Sequence, residues 1–151
     1  MKLAEALILR ADCQKRIAQL RERLQRSASV QEGETPVENA QNLLTELTET
    51  IGQLETLIQR INRTNSQTAM ANGNLADALA TRDMLSLRWS ALNTLIQNSS
   101  VSRFRYSATE VRWVSTIDIA AIQTECDRIA RDRRELDAGI QALNWQVDLL
   151  D

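Results

Sequence analysis

Apolar residues recur along this chain at gaps of three and four in four separate stretches, the spacing that places side chains on one face of an α-helix. In the first, from about Leu3 to Arg26, the stripe is Leu3, Ala6, Leu9, Cys13, Ile17, Leu20 and Leu24, and the polar run Ser27 to Glu34, with Gly33, marks its end. The second opens on Thr35-Pro36-Val37-Glu38. That reads as a capping box with proline at the first helical position, the threonine hydroxyl accepting from the Glu38 N–H. Val37, Ala40, Leu44, Leu47, Ile51, Leu54, Ile58 and Ile61 then follow without a polar residue in the seam. A polar connection is expected from Asn65 to Asn74, and a third helix from about Leu75 to Gln97, using Leu75, Ala78, Leu85, Trp89, Leu92 and Ile96. In the fourth, Asp118 can serve as the cap. Its seam is Ile119, Ile122, Cys126, Ile129, Leu136, Ile140, Leu143, Val147 and Leu150, interrupted by Arg133.

Between the third and fourth stretches the helical spacing fails. Val101-Ser102-Arg103-Phe104-Arg105-Tyr106 and Glu110-Val111-Arg112-Trp113-Val114 each read as a short strand, and Ser107-Ala108-Thr109 as the turn joining them. The expected fold is mainly α: long antiparallel helices, arranged as a four-helix bundle or as paired coiled-coil hairpins, with a small β-hairpin insertion near 101–114. The 151 residues fit a single helical domain.

Charge sharpens the pairing. Residues 1–26 carry seven basic and three acidic groups, and residues 27–62 one basic and six acidic, so the first two helices attract each other as an antiparallel hairpin. The net charge of −2 argues against a uniformly basic nucleic-acid surface. Cys13 and Cys126 stand far apart on apolar seams, which favours reduced, structural thiols and a reducing compartment. The opening apolar run Ala6-Leu7-Ile8-Leu9 is flanked by Glu5 and Arg10, too short for a secretory leader, and no 18-residue uncharged apolar stretch follows. A cytoplasmic protein without a membrane partner is the expectation.

Candidate chemistry is sparse. With no histidine in the chain, Ser-His and Cys-His nucleophile pairs and most zinc sites are excluded. Neither cysteine has a CxxC neighbour, the glycines stand alone, and no phosphate-cradling loop is present. Acids and arginines alternate from Asp127 to Asp137, the pattern of a solvated helix face knitted by pairs one turn apart. No cofactor, no small-molecule substrate and no enzymatic activity are expected. Arg82 and Arg133 intrude on apolar seams; each either extends along the seam's edge to water or pairs with a carboxylate of another helix and sets the register. The hairpin segment gathers Arg103, Phe104, Arg105, Tyr106, Arg112 and Trp113. These form either an aromatic and basic platform for nucleic acid or a plug for the bundle end or a neighbouring subunit, and the acidic chain favours the plug.

Three blocks carry a resemblance. They are Met1-Lys2-Leu3-Ala4-Glu5-Ala6-Leu7-Ile8-Leu9-Arg10-Ala11-Asp12, Leu57-Ile58-Gln59-Arg60-Ile61-Asn62-Arg63-Thr64-Asn65, and Arg134-Glu135-Leu136-Asp137 with Ile140-Gln141 and Asn144-Trp145. In this order they resemble a family of small bacterial proteins, some of which bear the name septicolysin and which otherwise lack an assigned function. The resemblance implies a helical, oligomer-forming protein and brings no catalytic residues. A pore-forming role needs an apolar helix or barrel strands of about nine to eleven residues, and the strand candidates here are short and carry arginines. The expected function is therefore structural: a protein that self-associates as a homo-oligomer through long amphipathic helices. The alternatives are a membrane-active, cytolysin-like protein and a nucleic-acid binder acting through the Arg/aromatic hairpin.

Overall fold

A computed structural model of the chain describes residues 1–70, 73–99 and 115–151. The element order is α1 (Leu3–Ser27), α2 (Ala40–Gln67), β1 (Ala69–Met70), β2 (Gly73–Asn74), α3 (Leu75–Ser99) and α4 (Ile119–Gln146). The protein is mainly α, as the spacing predicts. The β-hairpin expected at 101–114 falls outside the described residues. Another antiparallel strand pair, β1 with β2, occupies the stretch expected to be an irregular connection, with Ala69 opposite Asn74 and Met70 opposite Gly73. Two compact units make up the fold, Met1–Ala76 with Gln141–Asp151, and Asp77–Ile140.

In the first unit α1 and α2 pack as an antiparallel hairpin. Gly33 takes a left-handed φ of 89° in the connection, where a Cβ would be strained. Arg16 pairs with Glu46 and Arg23 with Glu38, so positions rise along one helix as they fall along the other. The core of the unit includes Leu3, Ala6 and Leu20 of α1 with Leu43 and Ile61 of α2, and Leu75 and Leu149 are buried in it as well. Thr50 and Thr64 are also buried. Their hydroxyls donate to the carbonyls of Glu46 and Arg60 one turn earlier, both at 2.8 Å, which lets a polar side chain enter an apolar seam.

The start of α2 departs from expectation. Asn39 is the cap, its side-chain oxygen accepting from the Asn42 N–H at 3.1 Å, and the helix begins at Ala40. Glu38, expected to close the capping box with Thr35, instead accepts from Arg23 across the hairpin. The end of α4 departs too: the seam runs on through Val147 and Leu150, but the helix stops at Gln146. There the chain turns extended and forms an antiparallel bridge, Lys2 with Asp148. Leu3 N–H donates to the Val147 carbonyl and Leu149 N–H to the Met1 carbonyl, both at 2.9 Å. Leu150 N–H then reaches the Thr64 hydroxyl at 3.0 Å, and Arg60 Nε reaches the Leu150 carbonyl at 2.9 Å. Backbone groups that helical continuation would have paired are satisfied by these long-range bonds.

In the second unit α3 and α4 run antiparallel. Arg82 reaches Asp137 at 3.4 Å, and Arg88 reaches Glu125 at 2.8 Å. Asp118 caps α4 as expected, its carboxylate accepting from the Ala121 N–H at 3.0 Å. Cys126, Ile129 and Ile140 are buried along α4, and Ala78 along α3.

Candidate interaction surfaces

Burial on α2 follows a line that differs from the purely apolar seam. The side turned to α1 holds Leu43, Leu47, Thr50, Leu54, Leu57, Ile61 and Thr64, spaced alternately four and three residues apart and none of them exposed. Leu44, Ile51 and Ile58, each seven residues from the next, form a second line beside it and lie 45%, 48% and 37% exposed. Val37, expected to begin that line, precedes the helix and is fully solvated. So α2 is apolar on two adjoining faces and the hairpin with α1 uses one of them.

On α3 the two faces are nearly opposite. Arg82 and Ser86 mark the side that meets α4, and the half-buried Leu85, Leu92 and Ile96 lie on it at helical spacing. Ala80, Met84, Leu87, Ala91 and Leu95 lie away from that side, where Met84 is 58% and Leu87 63% exposed, and Arg88 among them reaches Glu125 of α4. With Asp77, Arg82, Asp83 and Arg88 among them, the residues of α3 are apolar along two rows and not all round.

Both arginines singled out in the sequence lie on these helices. Arg82 is mostly shielded and forks between its neighbour Asp83 at 2.9 Å and Asp137 of α4 at 3.4 Å. Arg133 is exposed, with its guanidinium extended to within 3.4 Å of the Ser86 hydroxyl. The remaining candidates, Arg103, Phe104, Arg105, Tyr106, Arg112 and Trp113, lie outside the described residues.

Electrostatic shifts follow the ion pairs. A hydrogen bond from Arg23 holds the Glu38 carboxyl below its ordinary range and raises the guanidinium in return. Glu125 is lowered by a hydrogen bond from Arg128, with the Arg88 charge adding to it. Asp148 is lowered by its hydrogen bond with Lys2. These are partners holding charge, and no carboxyl among them is raised toward the neutral range that a general acid requires. A cleft of about 310 Å³ at the α1/α2 connection is lined by Arg23, Glu38, Asn39, Asn42, Leu43 and Glu46, and both of its acids are already engaged by arginines. Among the described residues no group of three or more His, Cys, Asp or Glu side chains is placed to hold a metal ion. No described helix is long and apolar enough to cross a membrane.

Comparison with known proteins extends this picture without adding an activity. Residues 10–149 match the model of a family described as "Family of unknown function (DUF6847)", and the chain belongs to that family. A crystal structure of a functionally unknown conserved protein from Corynebacterium diphtheriae is 41% identical in sequence, with 99% of each chain covered and a TM-score of 0.92. No curated protein matches.

Proposed function

Starting from membership in a family without an assigned activity, we propose that this protein is a structural or interaction protein that self-associates as a homo-oligomer through outward apolar lines of its long helices. The carrying observation is the solvation of Leu44, Ile51 and Ile58 on α2 and of Met84, Leu87 and Leu95 on α3. Single exposed leucines are ordinary, but aligned rows at helical spacing are the form an interaction face takes. Closed symmetric pairing is the commonest way for one chain to cover such rows, because the same patch serves both subunits. Within this reading Arg82 sets the α3/α4 register through Asp137, and Arg133 is a solvent-extended neighbour.

Charged substitutions test it. Leu44→Glu with Ile51→Glu, and separately Met84→Glu with Leu87→Glu, should leave helix content by circular dichroism unchanged. At least one pair should lower the mass measured by light scattering toward that of a single chain. Charged variants that all keep the parent's oligomeric mass, or a parent with the mass of a single chain, would remove the proposal.

A further inference from the structure

Beyond Val147, groups that would hydrogen-bond to continue α4 are engaged elsewhere. The Val147 N–H still donates to the Leu143 carbonyl at 3.0 Å, the bond of an uninterrupted helix. The Leu149 N–H then goes to the Met1 carbonyl and the Leu150 N–H to the Thr64 hydroxyl. The Val147 carbonyl accepts from the Leu3 N–H, and the Gln146 carbonyl from Lys2 Nζ at 3.0 Å. In a longer helix the Leu150 N–H would bond the Gln146 carbonyl, so Thr64 and Lys2 hold the two halves of one unmade bond.

Nothing in the residues themselves stops the helix. No glycine or proline occurs from 140 to 151, and Ile140, Leu143, Val147 and Leu150 keep the three-four spacing of the seam. The extended form selects a different leucine: Leu149 is buried, while Leu150 is 36% exposed. Strap and helix therefore compete for the same backbone groups and bury different side chains.

We infer that residues 147–151 are a two-state element, an extended strap while Lys2 and Thr64 hold it and a further turn of α4 when they release it. Both states pair the Leu149 and Leu150 N–H groups, so the balance between them rests on side chains. On the strap side stand the burial of Leu149, the Lys2–Asp148 pair at 2.9 Å and the Arg60–Asp151 pair at 2.6 Å. Thr64 is fully buried, and its hydroxyl donates to the Arg60 carbonyl while accepting from Leu150, which ties the strap to the backbone of α2. Asp148 adds to the same side, because a carboxylate in the last turn of a helix opposes the helix dipole. On the helical side stands the continued seam through Val147 and Leu150. Release also frees the Met1 carbonyl and the Leu3 N–H, so the start of α1 loosens with the strap.

NMR of the full chain tests this. Lys2→Ala and Thr64→Val each remove one catch, and the double variant removes both. In the double variant the Cα chemical shifts of Asp148, Leu149 and Leu150 should move from extended to helical values. The Leu3 amide should exchange at least roughly tenfold faster, while exchange at Leu20 and Leu43 stays as in the parent. If the double variant loses protection at Leu20 and Leu43, Lys2→Ala alone carries the test, since Lys2 lies outside the core, and its shifts should move in the same direction. Random-coil shifts at 148–150 after release would mean a strap without a second state. Shifts and Leu3 exchange that stay as in the parent would mean that Lys2 and Thr64 are not the catches. Either result overturns the inference.

Discussion

The two antiparallel pairs in this protein differ in how they divide apolar residues between inside and outside. In α1/α2 the buried seam is interlocked, two Arg–Glu pairs flank it, and the outward apolar residues form one line. In α3/α4 the contact is carried by the arginines Arg82 and Arg88 together with a half-buried seam, and Met84, Leu87 and Leu95 of α3 stay exposed beside it. The lesson is that helical periodicity reports how many faces a helix must cover, but not which of them its own chain covers. A regular apolar row is equally compatible with a core and with a docking face until exposure separates them.

The largest expected effect separates core from outward rows. Leu20→Ala removes a fully buried side chain of α1 and should cost about 2–5 kcal/mol in urea unfolding. Leu87→Ala on the outer stripe of α3 should stay within about 0.5 kcal/mol when measured at low protein concentration. Equal losses at the two positions would mean that the outer stripe is packed within the subunit. A smaller effect concerns the start of α2. Asn39→Ala should cost about 1 kcal/mol, because Asn39 holds the Asn42 N–H, while Thr35→Ala should change almost nothing. The reverse ranking would restore the capping box at Thr35.

The smallest effect is electrostatic. Glu38 and Glu125 both have carboxyls lowered by arginines, so each contributes stability that is present above the unfolded pKa and is lost as pH falls through the folded value. The dominant partner of Glu38 lies on the opposite helix, whereas that of Glu125 is Arg128 on its own helix. Between about pH 6 and about pH 3 the urea midpoint should fall, and it should fall less in Glu38→Gln than in the parent. Both carboxylates are part-solvated, so the change is modest. A midpoint insensitive to acid would show that these pairs contribute no stability.

Much of this architecture was legible in the sequence, for reasons particular residues show. The stripes through Leu3, Leu20, Ile129 and Ile140 mark buried faces because apolar burial dominates at each, and Asp118 caps α4 because a short acceptor just before a helix is a local signal. The buried line of α2 was hidden by Thr50 and Thr64, which look polar until their hydroxyls fold back onto Glu46 and Arg60. The purely apolar seam therefore shifts toward Leu44 and Ile51. The cap at Asn39 was obscured because Glu38 had two possible partners, Thr35 nearby and Arg23 across the hairpin, and the charged one won. The end of α4 at Gln146 had no local signal at all, since it depends on backbone pairing of Val147 and Leu149 with Leu3 and Met1 at the other end of the chain. Of the interaction residues, Arg82 and Arg133 were visible as charges in apolar rows.

The most direct measurement is sedimentation equilibrium of the unmodified protein across a range of micromolar concentrations. Self-association requires a mass that rises with concentration to at least twice the 17.1 kDa of one chain. A mass that stays at 17.1 kDa throughout would contradict it.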